Sequence, residues 1–239
     1  MAQITFQRIW NSSPWTVDFL DGPGQDLVIA FSSVGHDPTR APSPEFVATA
    51  TANGTRRALF VMDASRSWAN DPGFEQALIG SLETVLARRP VTRIATIGLS
   101  MGAFSALVAA LILPVDVVLA FGPQWSVAPG IVPAENRWSH WTDRLPPRRW
   151  QTAPLPTNRQ TYLFHGTQDD LPQALPFPRQ PGTDHILFPD LGHSDLLPHL
   201  KARGALAGLL DSALSGDRRR LLRIAASAGG RLRQRLPYG

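Results

Sequence analysis

Cysteine is absent from this 239-residue chain, and lysine occurs once, at Lys201. Without cysteine there is no disulfide, no thiolate nucleophile and no Cys-based metal site. That absence fits a cytoplasmic protein, which is the expected location. No uninterrupted apolar run is long enough for a membrane span. The most apolar window, residues 103–121, is broken by Pro114 and Asp116 and reads as a helix followed by a strand inside a core. Residues 1–8 have neither the basic nor the apolar segment of a secretion signal, so none is expected. Gly-x-Gly-x-x-Gly and P-loop patterns are missing, as is a His-x-x-x-His pair on a helix. Neither a metal nor a cofactor is expected.

The residues present are those of one globular domain with a sizeable core. Charge is unevenly placed. Residues 217–239 hold seven arginines and one aspartate, a balance of +6 against +4 for the whole chain, so the remainder is slightly acidic. We divide the chain into a main domain, 1–216, and a basic C-terminal tail, 217–239. Such a tail can dock an anionic polymer or membrane. The plainer reading is a solvated Arg-rich helix, since no aromatic residue interleaves with the arginines before Tyr238. No nucleic-acid partner is expected.

Apolar runs alternate along the chain. Residues 4–9 and 15–20 read as an antiparallel pair, and 27–31, 58–62, 91–97, 115–121, 161–164 and 185–188 as buried strands. Helical spacing covers 74–89, 103–111 and a closing stretch at 195–214. Strands alternating with helices predict an α/β three-layer sandwich around a mostly parallel sheet. Residues 123–157 break the rhythm and carry Trp125, Trp138, Trp141 and Trp150 among prolines and arginines. That aromatic density argues against disorder, so the segment is read as a short Trp-rich lid inserted after the sixth strand.

Gly98-Leu99-Ser100-Met101-Gly102 lies between a β-branched run and a helix-forming run. A nucleophile elbow needs that order: a strained strand-to-helix turn exposes the serine, and small neighbours avoid clashes. Ser100 is the candidate nucleophile, and the Met101 N–H a candidate oxyanion donor. The plainer alternative is a tight βα turn with Ser100 as helix N-cap. A serine nucleophile needs a base and a carboxylate to orient it. Of six histidines, His193 alone sits in a Gly-His loop between the last strand and the closing helix. The acid follows the strand at 161–164, in His165-Gly166-Thr167-Gln168-Asp169-Asp170. Asp169 is assigned to orient His193 and Asp170 to cap a short helix at 171–175, although Pro172 permits either assignment.

In Gly98-Leu99-Ser100-Met101-Gly102, His165-Gly166-Thr167-Gln168-Asp169, Gly192-His193 and the order Ser…Asp…His, the chain resembles the α/β-hydrolase superfamily over roughly residues 26–214. The resemblance implies a second oxyanion N–H from Ser33 or Val34. Here the loop reads Phe31-Ser32-Ser33-Val34-Gly35 in place of the usual His-Gly. Asp63, Arg66, Trp68, Gln124 and Trp125 follow strands at the same sheet edge and would offer polar and aromatic faces to a ligand; the alternative is an Asp63–Arg66 ion pair with Trp68 buried. The segments carrying them are similar to α/β-hydrolase-like proteins, some associated with bacterial surface-polysaccharide genes. The expected function is a serine esterase-like hydrolase cleaving a carboxylic ester through Ser100, Asp169 and His193. The substrate would be an acylated sugar or another small ester. Acyl transfer on the same triad, or a non-catalytic binding protein on a hydrolase fold, are the alternatives.

Overall fold

Period-two alternation decides which core each strand residue enters. In β3 (Leu27–Phe31), Leu27, Ile29 and Phe31 enter one apolar cluster, and Val28 and Ala30 the other. In β4 (Arg57–Asp63), Leu59 and Val61 side with the first cluster, and Ala58, Phe60 and Met62 with the second. A strand buried on both faces belongs inside a sheet covered on both sides.

The computed structural model describes residues 5–145 and 148–237. Outside the described residues lie Ile4 of the expected first strand, Pro146 and Pro147 of the expected lid, and Tyr238 of the expected tail. The remaining strands are β1 (Gln7–Ser12), β2 (Trp15–Leu20), β5 (Ile94–Leu99), β6 (Val117–Phe121), β7 (Gln160–Gly166), β8 (Thr183–Phe188) and β9 (Arg231–Leu232). They form one sheet in the order β1-β2-β4-β3-β5-β6-β7-β8-β9. From β4 to β8 all neighbours are parallel, while β1, β2 and β9 join antiparallel at the two edges.

Helices cover both faces. On one lie α2 (Phe74–Leu86) and α3 (Met101–Ile112); on the other lie α1 (Val47–Thr51), α6 (Leu196–Ala202), α7 (Ala205–Leu214) and α8 (Arg218–Ser227). Two short helices, α4 (Ser139–Thr142) and α5 (Leu171–Ala174), lie in connections. The closing helix expected over 195–214 is two helices, because Gly204 takes φ 64° and ends α6. A left-handed residue cannot continue an α-helix, and glycine adopts it without steric cost. No helix among the described residues is long and apolar enough to cross a membrane.

Residues 123–157 correct the expectation of a lid. Among the described residues of the segment there is no separate layer: Trp138 is buried, and Trp125, Trp141 and Trp150 pack against the same cluster as β3 and α3. The tryptophans that suggested a lid are what anchor the segment to the body.

The C-terminal segment also differs from a passive tail. The Asp217 side chain caps α8 by accepting from the Arg220 N–H at 2.9 Å, and α8 buries Leu221 and Ala225 against the domain. Arg218 pairs with Asp184 at 2.6 Å, and Arg233 donates to the carbonyls of Phe177 and Leu175, each at 2.8 Å. Composition alone does not reveal that individual arginines have fixed partners.

Candidate active site

The sheet order places the functional edge. From β3 the chain passes to β4 on one side, then returns to β5 on the other, so the connections diverge at the carboxyl ends of β3 and β5. Open α/β sheets bind ligands in the crevice at such a switch point. Ser100 follows β5, and Ser33 and Val34 follow β3.

Ser100 sits at φ 56°, ψ −122°, a backbone conformation strained for any residue with a side chain. Its own N–H is held by the Phe121 carbonyl at 2.8 Å, and its hydroxyl makes no capping bond to α3. The N-cap alternative therefore fails. The flanking glycines are required by space. A Cβ on Gly98 would collide with the Gly102 carbonyl, and one on Gly102 with the Phe31 carbonyl. Such close approach of a helix start to two strands tolerates no side chain.

His193 follows β8, and its Nδ1 lies 2.6 Å from Asp170 Oδ2. This corrects the assignment to Asp169. The Asp169 carboxylate accepts the backbone N–H of His193 at 2.6 Å, so it fixes the loop, whereas Asp170 fixes the ring. Asp170 is 1 % exposed and makes no side-chain cap to α5. Its other oxygen takes Arg137 Nη1 at 2.9 Å. Burial pushes the Asp170 carboxyl up, but the His193 hydrogen bond and the charges of His193, His165 and Arg137 outweigh it, and it titrates below the ordinary value. An ionised Asp170 holds the proton on His193 Nδ1 and leaves Nε2 as the basic nitrogen. Arg137 was not legible beforehand, being one arginine of many. It also pairs with Glu135 at 2.6 Å and lies over Trp138, whose ring meets the His193 ring edge-on at 5.4 Å between centroids.

Met101 is the first residue of α3, so its N–H has no partner within the helix. No acceptor among the described residues takes the N–H of Val34, whereas that of Ser33 is drawn to the Glu45 carboxylate. Neither nearby hydroxyl adds a donor, because Ser32 Oγ donates to the Ser43 carbonyl and Ser33 Oγ to Glu45 Oε1 at 2.6 Å. Burial raises the Glu45 pKa above its ordinary value, against the opposing hydrogen bonds from Ser33.

The five residues expected to meet a ligand mostly bond to the protein itself, although Arg66 also lines a recess and Gln124 reaches Ser100 Oγ. Asp63 is buried and accepts four bonds, from the N–H and hydroxyl groups of Ser65 and Ser67. Arg66 makes no ion pair with it. Its guanidinium donates to the carbonyls of Val34 and Ala64 at 3.0 Å and also to that of Arg40, clamping the segment after β3. Trp125 packs edge-on against Phe177. Trp68 and Gln124 are both 0 % exposed and bonded to one another at 2.8 Å, behind Ser100. Arg66, Trp68 and Ala69 all have positive φ, between 51° and 60°. Strain of this kind persists where surrounding contacts over-determine the backbone.

His165 is fully buried beneath the site. Its Nε2 faces the Pro123 carbonyl at 2.9 Å, which accepts only, so Nε2 carries the proton and Nδ1 accepts from His185 Nε2 at 2.9 Å. Burial pushes His165 from 6.5 down to about 4, and His185 is lowered by the same cause. Between those values the unfolded chain binds protons that the folded protein does not. Stability should therefore fall as pH drops from 6.5 towards 4, by about 3 kcal/mol for His165, and level off below. Urea unfolding across that range measures it. His165→Gln should reduce the slope, and an unchanged slope would assign the dependence to other groups.

Among the described residues no group of three or more His, Cys, Asp or Glu is placed to hold a metal ion. No family model matches the sequence. Nor does any curated protein match it. Solved structures do. An α/β serine hydrolase without lid from Xanthomonas campestris is 19 % identical with a TM-score of 0.51, over 86 % of this chain and 93 % of that one. A hyperthermophilic esterase from Pyrobaculum calidifontis is 14 % identical with a TM-score of 0.60, over 91 % and 87 %. An α/β hydrolase from Novosphingobium aromaticivorans is 17 % identical with a TM-score of 0.53, over 87 % and 99 %. The sheet order, the elbow and these likenesses agree that the chain has the α/β-hydrolase fold.

Proposed function

We propose that the protein is a serine hydrolase of the α/β-hydrolase superfamily that cleaves a carboxylic ester. The observation that carries this reading is the 2.6 Å bond from the His193 ring to buried Asp170, at the sheet edge that also carries a serine held at φ 56° on a strand-to-helix turn. The esterase descriptions of several structural neighbours support it. In this reading His193 Nε2 takes the Ser100 proton as Oγ attacks the ester carbonyl, and the N–H groups of Met101 and of Ser33 or Val34 hold the oxyanion. The intermediate collapses to an acyl-enzyme as the alcohol leaves with the proton from His193, and water reverses the sequence.

A recess of about 270 Å³ opens at the same edge, lined by Ser65, Arg66, Ser67, His140, Trp141 and Arg144 among others. Its polar and aromatic lining supports a polar substrate such as an acylated sugar. A fluorophosphonate probe should label the protein stoichiometrically, and a panel of p-nitrophenyl and sugar esters should show turnover. A folded protein that neither labels nor hydrolyses any of them would overturn the reading.

A further inference from the structure

The triad leaves one buried polar side chain at the nucleophile without a task. Gln124 Nε2 lies 2.8 Å from Ser100 Oγ, and its Oε1 lies 2.8 Å from Trp68 Nε1. An indole N–H only donates, so the amide oxygen must face Trp68 and the NH₂ must face the serine. Ser100 Oγ is therefore an acceptor from Gln124, and its own proton stays available to His193.

From this geometry we propose that Gln124 is a catalytic residue that stabilises negative charge on Ser100 Oγ, with Trp68 the positioning residue that locks the amide's orientation. The inference rests on the serine-hydrolase reading above. Gln124 transfers no proton. As Ser100 Oγ bonds to the carbonyl carbon, its hydrogen passes to His193 Nε2 and the carbonyl π pair moves to the oxyanion. During deacylation Oγ leaves with the C–O bonding pair and regains a proton from His193. In both steps Oγ carries more charge in the transition state than as a hydroxyl or an ester oxygen. A donor fixed on it is stronger there than in the ground state, the condition for raising a rate. Donor and lock are both shut away from water, which strengthens the interaction further. Three features aim Trp68: the Asp63 hydrogen bonds to Ser65 and Ser67, the Arg66 clamp and the left-handed backbone at Arg66, Trp68 and Ala69.

The test uses the full chain and a fluorophosphonate probe, with folding checked by thermal melting. Gln124→Leu should slow labelling and kcat by about ten- to a hundred-fold with KM little changed, the scale of losing one hydrogen bond to a charged group. Trp68→Phe, which removes only the N–H from the lock, should cost less and in the same direction. Gln124→Glu supplies a signature that a packing role would not give. Ionised, it has no donor for Oγ; protonated, it has one, so its rate relative to the unsubstituted protein should climb as pH falls. Should Gln124→Leu not fold, the near-isosteric Gln124→Glu and Trp68→Phe still decide. Labelling rates within two-fold of the unsubstituted protein in all folded variants, or a flat relative pH profile for Gln124→Glu, would overturn this proposal alone. Failure of the unsubstituted protein to label would overturn the parent reading and this one together.

Discussion

Ser100→Ala should abolish fluorophosphonate labelling and lower ester turnover by at least about 10³-fold, because triad members act as a unit and loss of one removes most of their joint effect. The substitution keeps a Cβ at φ 56° and adds no new backbone strain. It does leave the Gln124 amide N–H buried and facing no acceptor, since that hydrogen bond ends on Ser100 Oγ. A loss of about 1–3 kcal/mol in stability should accompany it, the cost of an unsatisfied buried donor. Undiminished labelling in the folded variant would remove Ser100 from the mechanism.

The second large effect separates two adjacent carboxylates. Asp170→Asn should reduce kcat by about 10³- to 10⁴-fold, because an amide N–H facing Nδ1 favours the tautomer that protonates Nε2, which then cannot take the serine proton. Asp169→Asn keeps an oxygen for the His193 backbone N–H and should stay within about ten-fold of the unsubstituted enzyme, the scale of weakening one charge-assisted hydrogen bond. Kinetics on the two variants side by side check the order, and the reverse order would return the orienting role to Asp169.

That pair marks how far the residues could be read in advance. The elbow was legible because its requirements are local: a strand, two glycines forced by backbone contact, and a helix start within about a dozen residues. His193 was legible from its place after β8. The choice between Asp169 and Asp170 was not, because it turns on where the chain after β7 is pinned. Thr167 N–H bonds Phe188 and Gln168 N–H bonds Leu191, and that pairing carries the second carboxylate to the ring. Arg137 and the Trp68–Gln124 contact join segments dozens of residues apart, which no spacing rule announces. Asp63 shows a related limit. Its chemistry suits a ligand, but its carboxylate is taken up by the N–H and hydroxyl groups of Ser65 and Ser67 in its own loop. The Trp-rich segment was found as a unit, yet aromatic content alone cannot distinguish a cover that moves from one bolted down.

The last strand also bears on how one copy of the molecule meets another. Beyond β7 the sheet would end on β8, a nearly continuous buried run whose outer N–H and C=O groups would invite a second strand. β9 occupies that position with two residues, Leu232 opposite Ile186 and Arg231 opposite Leu187. Arg231, exposed in β9, places positive charge on the new outer strand, and the chain then turns away through Arg233–Arg235. The basic segment that composition suggested as a handle for other polymers thus also closes the sheet, leaving the protein's own copies a two-residue edge strand that carries a charge.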